Sequence, residues 1–206
     1  MMRRALLLAV SLLAAQAAFA ARTVLVFGDS LSAAYNLSAG EGWVELLGQR
    51  VTRAKLPWRI VNASISAETT AGGASRLAED MKRNRPAIVV IQLGTNDALR
   101  GLPVAGIRDN LERMIRTVRQ ARAEPVLVGL MIPPNYGIEY ANEFRNLYPT
   151  LAAKHRVTLV PFLLEGIADK PELFQRDQLH PTAAAQLRIL DNVWPSIEPL
   201  LAGGAK

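Results

Sequence analysis

Five short apolar segments alternate along this chain with longer segments whose apolar residues recur at helical spacing. The short segments are apolar or β-branched at nearly every position, which is typical of strands covered on both faces. Such alternation indicates an α/β protein in which helices cover both faces of a parallel sheet. The predicted strands are residues 24–27, 59–62, 88–93, 126–131 and 158–160.

Helices are predicted near residues 42–53, 72–83, 104–121 and 138–155, and a final helix follows Pro181, whose fixed φ suits a first helical turn. No linker or repeat separates these elements, so they form one predicted domain. Ligands of such sheets bind beyond the carboxyl ends of the strands, where the strand order reverses. The loops that follow the strands are therefore the places to look for a functional site.

The first twenty residues do not follow this pattern. Arg3 and Arg4 precede an apolar stretch over residues 5–15, and small residues lead to Ala18-Phe19-Ala20, as in a secretory signal with its cleavage site. The uncharged run from 5 to 21 has 17 residues, fewer than the roughly 20 that span a bilayer. This favours a cleaved signal peptide at 1–20 over a retained anchor. We therefore expect a single domain at 21–206 and a periplasmic or secreted protein.

Composition removes several classes of chemistry. The chain has no cysteine and only two histidines, His155 and His180, which excludes thiol nucleophiles, disulfides, iron–sulfur clusters and three-histidine zinc sites.

Its formal net charge is +6, but arginines within 104–121 alternate with apolar residues, as on the solvated face of a helix. No aromatic residues accompany them, so nucleic acid is not a predicted partner. These arginines are Arg108, Arg113, Arg116 and Arg119, and Arg122 follows them.

Two polar segments together contain the groups needed for nucleophilic catalysis. Ser30 follows the first predicted strand, and Asp177 precedes His180 by three residues. A serine hydroxyl needs a base to take its proton, and that base needs a third group to orient it. One turn can bring the Asp177 carboxylate to Nδ1 of His180, which leaves Nε2 free to face Ser30. His155 ends a predicted helix, where a cation suits the helix dipole, so His180 is the better candidate base.

Asn96 follows another buried strand and offers an amide donor at the same edge of the sheet. An acyl-transfer enzyme needs such a donor to stabilise negative charge on the substrate carbonyl oxygen. Each segment also has a purely structural interpretation: Gly-Asp-Ser as a turn, Asp-x-x-His as a helix cap, and Asn96 as a turn residue.

The four segments together resemble the SGNH hydrolases in order and spacing: GDSLS at 28–32, NASISAETTAGG at 62–73, GTND at 94–97 and DQLHP at 177–181. With MIPPNYG at 131–137, the chain is most similar to the secreted multifunctional group with thioesterase, lysophospholipase and arylesterase activities. The resemblance implies a three-layer α/β/α, flavodoxin-like fold with a five-stranded parallel sheet. It also implies Ser30 as nucleophile, His180 as base, Asp177 as its partner, and no metal or cofactor.

In the oxyanion hole, the resemblance implies the Asn96 amide and the backbone N–H of Ser30, but Ala67 stands where the family has glycine. Ala67 still has the backbone N–H that this position supplies. At a positive φ, alanine costs roughly 1–2 kcal/mol relative to glycine. At a negative φ the replacement is nearly silent, so the backbone conformation decides its effect.

The resemblance suggests aryl esters, short to medium acyl esters, acyl-CoA thioesters and lysophospholipids as small-molecule substrates, and we expect the protein to be a monomer. Residues 132–138 contain two prolines and a glycine, and they predict a lid or an acyl-groove loop rather than a plain connection. The predicted substrate-binding residues are Asp29, Ile132, Pro134 and Tyr136.

Three other functions remain open at this point. A carbohydrate O-acetylesterase would share the fold and the catalytic residues. A weakly active or noncatalytic lipid- or glycan-binding module is suggested by Ala67 alone. A metal-dependent phosphoesterase could use Asp29, Asp97 and Asp177, although these lack histidine partners and the spacing of metal ligands.

Overall fold

The computed structural model describes residues 21–203, so the predicted signal peptide at 1–20 lies outside the described residues. In this described part of the chain, five strands form one sheet in the order β2-β1-β3-β4-β5, and every neighbouring pair is parallel. The predicted α/β fold with a five-stranded parallel sheet is confirmed. The strands are β1 (Arg22–Gly28), β2 (Trp58–Asn62), β3 (Ile88–Gln92), β4 (Glu124–Val128) and β5 (Thr158–Val160).

Within residues 21–203, six α-helices accompany this sheet. The helices are α1 (Trp43–Arg53), α2 (Thr70–Asn84), α3 (Thr95–Leu99), α4 (Val104–Gln120), α5 (Ile138–His155) and α6 (Ala183–Gly203). Helix α1 packs against α6, while α2 packs against α4 and α4 against α5, so the sheet lies between two helical layers. The large apolar side chains of α4 are buried, and all four of its arginines are exposed, as the sequence predicts.

Apart from shifts of one or two residues at other boundaries, the structure differs from the sequence-based expectations in three features. Strand β4 ends at Val128 rather than at 131, because the apolar residues beyond it line a cavity instead of the sheet. Helix α6 begins at Ala183, while Pro181 forms a bridge with Phe174 instead of occupying the first helical turn. Helix α3 is not predicted from the sequence, because five residues are too few to show helical periodicity.

The sheet order determines where a ligand can bind. Strand β1 lies between β2 and β3, so the chain crosses to opposite sides of β1 and leaves a crevice at the carboxyl ends of β1 and β3. Both strands are almost fully buried, which fixes the positions of the loops that follow them. In the described part of the chain, no helix has the length and hydropathy needed to span a bilayer.

Candidate active site

Ser30 lies in a tight turn directly after β1. The N–H groups of Ser32 and Ala33 both donate to the carbonyl of Asp29, which closes the turn around Ser30. The packing of this turn favours glycine at position 28, because a Cβ there would lie 2.6 Å from Gln92 Oε1 and 2.9 Å from Ser32 Oγ. The close approach of this turn to β3 therefore places Ser30 at the crevice.

A chain of hydrogen bonds connects Ser30, His180 and Asp177. His180 Nε2 lies 2.9 Å from Ser30 Oγ, and His180 Nδ1 lies 2.7 Å from Asp177 Oδ2. The other carboxylate oxygen of Asp177 accepts hydrogen bonds from the backbone N–H groups of Leu179 and His180, both at 3.0 Å. Asp177 thus holds the imidazole from one side, and the opposite ring nitrogen faces the serine hydroxyl.

These contacts also determine the charge of Asp177. Partial burial raises the pKa of the Asp177 carboxyl, but hydrogen bonds from the His180 side chain and from the N–H groups of Leu179 and His180 outweigh this effect and lower its pKa to about 2. The carboxylate is therefore ionised at neutral pH, and it can accept a hydrogen bond from Nδ1 of His180.

Tyr35 and Gln175 support His180, and neither residue is among the site residues predicted from the sequence. The centroid of the Tyr35 ring lies 4.4 Å from that of the His180 imidazole. Gln175 donates to the carbonyls of Tyr35 at 3.0 Å and Pro181 at 3.2 Å, and its own N–H donates to the carbonyl of His180. Gln175 therefore joins the Ser30 loop to the His180 loop. Neither residue belongs to a pattern that could be recognised in the sequence without the fold.

Ser30 and Asn96 both line the crevice beyond β1 and β3, and a hydrogen bond connects Asn96 to the residue that follows Ala67. Asn96 Nδ2 donates to the carbonyl of Glu68 at 3.0 Å and has a longer contact of 3.4 Å with Asp29 Oδ2. Among the hydrogen bonds of residues 21–203, none has the backbone N–H of Ser30 or Ala67 as its donor. Ala67 has a φ of 63°, so the positive φ, at which alanine is strained, applies at this position.

Asp29 is buried between β1 and β3 rather than exposed to solvent. Its carboxylate accepts hydrogen bonds from the Leu31 N–H at 3.0 Å and from Gln92 Nε2 at 2.9 Å. Burial raises the pKa of Asp29 to about 6, although these two hydrogen bonds oppose the shift. Gln92 also accepts a 2.6 Å hydrogen bond from Ser32 Oγ. Gln92 is not among the site residues predicted from the sequence.

A cavity of about 490 Å³ opens beside Ser30 and His180, within the usual size range of small-molecule sites. Of the predicted substrate-binding residues, Asp29, Ile132 and Pro134 line it. Tyr136 is not among the lining residues, and 42% of its surface is exposed. The walls are mainly apolar and include Leu99, Leu130, Met131, Phe162, Leu164 and Phe174.

The three aspartates of the phosphoesterase hypothesis have separate protein partners. Asp97 accepts hydrogen bonds from the N–H and hydroxyl of Thr70, Asp29 contacts Gln92, and Asp177 contacts His180. Within residues 21–203, no group of three or more histidine or carboxylate side chains could hold a metal ion.

A parallel α/β sheet with a Ser–His–Asp set at its switch point defines a serine hydrolase. The chain belongs to the GDSL-like lipase/acylhydrolase family, which it matches over residues 26–188. The resemblance identified from the four sequence segments is thus confirmed, and the chain is an ester hydrolase.

Similar proteins from several bacteria match almost the whole chain. Esterase TesA of Pseudomonas aeruginosa is 46% identical over 94% of this chain and 96% of that protein. Thioesterase 1/protease 1/lysophospholipase L1 of Escherichia coli is 38% identical over 89% of this chain and 87% of that protein. The crystal structure of esterase EstA from Pseudoalteromonas, inhibited by monoethylphosphonate, has a TM-score of 0.84 and 38% identity, and covers 88% of this chain and 99% of that one.

Proposed function

We propose that the protein hydrolyses acyl esters and thioesters through a covalent acyl-enzyme on Ser30. His180 Nε2 takes the proton of Ser30 as Oγ attacks the substrate carbonyl, and the imidazolium then gives that proton to the departing alcohol or thiol. Water repeats the attack on the acyl-enzyme and releases the acid. The observation that carries this proposal is the chain of 2.9 Å and 2.7 Å hydrogen bonds from Ser30 through His180 to Asp177.

The proposed oxyanion hole consists of the backbone N–H groups of Ser30 and Ala67 and the side-chain amide of Asn96. The backbone N–H groups of Ser30 and Ala67 have no acceptor within residues 21–203, so they are available to a substrate oxygen. The 3.4 Å contact of Asn96 with Asp29 is long for a hydrogen bond, so the amide can exchange it for a shorter bond to an oxyanion. In this proposal Asp29 contacts Asn96 and does not contact the substrate.

The proposed substrates have an apolar acyl part, because the cavity beside Ser30 is lined mainly by aliphatic and aromatic side chains. The names of the relatives, which include an esterase, an arylesterase and a thioesterase/lysophospholipase, support aryl esters, acyl thioesters and lysophospholipids. Ile132 and Pro134 contact the acyl chain in this proposal, and Tyr136 lies at the outer end of the same loop.

We also propose that residues 1–20 direct export and that the enzyme acts as a periplasmic or secreted monomer. The sequence of these residues supports the proposal, because a dibasic start, an apolar stretch and an Ala-x-Ala end are the parts of a secretory signal. N-terminal sequencing of the exported protein should begin at Ala21. A mature protein that begins at Met1 would contradict this proposal.

The catalytic role of Ser30 can be tested with a fluorophosphonate probe and a series of nitrophenyl esters from acetyl to palmitoyl. Wild type and the exposed-serine control Ser38→Ala should be labelled and active, whereas Ser30→Ala should be neither. Labelling of Ser30→Ala would refute the assignment. Activity confined to acetyl esters would instead support a deacetylase, and a folded wild type that is never labelled would support a binding module.

A further inference from the structure

The loop of residues 63–69, called here the Ala67 loop, has a strained conformation that something must hold. Ala67 has φ of 63°, a region in which residues with a Cβ are disfavoured. On the N-terminal side the loop is fixed to β1, because the Ile65 N–H donates to the carbonyl of Gly28 at 3.0 Å. On the C-terminal side it depends on Glu68, whose N–H donates to the carbonyl of Ile65 at 3.2 Å.

The side chain of Glu68 is anchored by an ion pair. Glu68 Oε2 lies 2.6 Å from Arg76 Nε, and only 11% of the Glu68 side chain and 22% of the Arg76 side chain are exposed. Gly72 leaves the space for this carboxylate, because a Cβ there would overlap Glu68 Oε1. Since the carbonyl of Glu68 accepts the 3.0 Å hydrogen bond from Asn96 Nδ2, the same residue connects Arg76 to two parts of the proposed oxyanion hole.

Arg76 is itself held against the rigid part of the fold. Its guanidinium lies 3.9 Å from the ring centroid of Phe27, a fully buried residue of β1. Arg76 Nη1 also lies 2.7 Å from Asp80 Oδ2, one turn further along α2. Arg76 Nη2 is buried and has no hydrogen-bond partner within residues 21–203, so the ion pairs of Arg76 are made through Nε and Nη1.

We propose that Arg76 is a positioning residue for the oxyanion hole, which it holds in place through Glu68. The ion pair keeps the Ala67 loop in its strained conformation, so that the Ala67 N–H and the Asn96 amide converge on one substrate oxygen. This inference rests on the proposed function, because it concerns the same catalytic site. It assigns a role to two residues outside the Ser–His–Asp set.

The chain offers a matched pair of variants that separates this role from simple stability. Glu68→Ala and Asp80→Ala each remove one carboxylate from Arg76, but only Glu68 belongs to the Ala67 loop. Complete loss of an oxyanion donor costs about 10²–10³ in kcat, and a displaced loop should cost roughly tenfold or more. We expect Glu68→Ala to lower kcat for a nitrophenyl ester with little change in KM, while Asp80→Ala keeps kcat within about twofold of wild type.

Replacement of Ala67 by glycine tests whether the ion pair holds the strained backbone. Glycine adopts this φ without a steric cost, so Glu68→Ala should lower kcat less in a chain that also has Ala67→Gly. Thermal unfolding of each variant reports stability separately from kcat. Should Glu68→Ala not fold, Glu68→Gln keeps its shape and removes the charge, and it should show the same pattern to a smaller degree.

The proposal would be overturned if Glu68 variants that fold retained wild-type kcat, or if Asp80→Ala lowered kcat as much as Glu68→Ala. An equal loss with and without Ala67→Gly would overturn the role of the pair in holding the strained backbone. These outcomes differ from failure of the proposed function, in which wild type itself would not be labelled by the fluorophosphonate probe.

Discussion

The Asp29 carboxylate accepts a 2.9 Å hydrogen bond from the side chain of Gln92, which joins the carboxyl ends of β1 and β3 directly beneath Ser30. The Asp29 N–H donates back to Gln92 Oε1 at 3.3 Å, so the two residues are bonded in both directions. Because both are buried, this pair resists movement of the nucleophile turn relative to the sheet. The catalytic turn is thus supported by polar contacts inside the core.

Asp29→Asn tests the pH dependence of this buried pair. Burial raises the pKa of Asp29 from 3.8 to about 6, so between these values the folded protein binds a proton that the unfolded chain has released. The contribution of Asp29 to folding stability therefore decreases as pH rises through this window. Urea unfolding at pH 4.5 and pH 7 should show that Asp29→Asn gains stability relative to wild type as pH rises.

The exposed-carboxylate variant Asp169→Asn is the control for that measurement, and its stability should follow that of wild type across the same pH range. If Asp29→Asn and wild type changed in parallel with pH, Asp29 would not titrate in this window.

Asp177→Asn should reduce kcat by up to about 10⁴ without unfolding the protein. The carboxylate fixes the His180 tautomer and stabilises the imidazolium, and an amide at this position can donate to Nδ1 and leave the wrong nitrogen protonated. Steady-state hydrolysis of a nitrophenyl ester measures the loss. The control Asp169→Asn should keep wild-type kcat, and a near-normal kcat in Asp177→Asn would mean that another group orients His180.

Asn96→Ala should lower kcat by about 10²–10³ with a smaller effect on KM, because an oxyanion donor acts mainly in the transition state. Single-substrate kinetics with a nitrophenyl ester separate the two constants. Asn142→Ala, on the exposed side of α5, is the matched control and should behave as wild type. A rise in KM at constant kcat would assign Asn96 to substrate binding instead.

Ala67→Gly should increase stability and should not lower kcat. The positive φ costs alanine roughly 1–2 kcal/mol, and the greater freedom of unfolded glycine offsets about 0.5–1 kcal/mol of the gain. The expected net effect is a stabilisation of up to about 1.5 kcal/mol, measured by urea unfolding. A clear fall in kcat with ester substrates would show that the Cβ of Ala67 assists the site.

The sequence by itself determined the fold class and the family. Runs of buried strand residues and helical periodicity depend on local spacing, and the four segments around Ser30, residues 62–73, Asn96 and His180 retain their order in any linear comparison. These features predicted the parallel sheet and the hydrolase class, both of which are confirmed.

Only the tertiary structure decided how distant residues meet. The contact of Gln175 with the Tyr35 loop joins residues 140 positions apart. The φ of Ala67 and the seating of Glu68 on Arg76 depend on loops that pack against β1. No local pattern encodes such contacts, because they arise when the sheet brings the ends of separate strands to one edge. The early end of β4 has the same origin, because packing around the cavity, rather than local propensity, sets its limit.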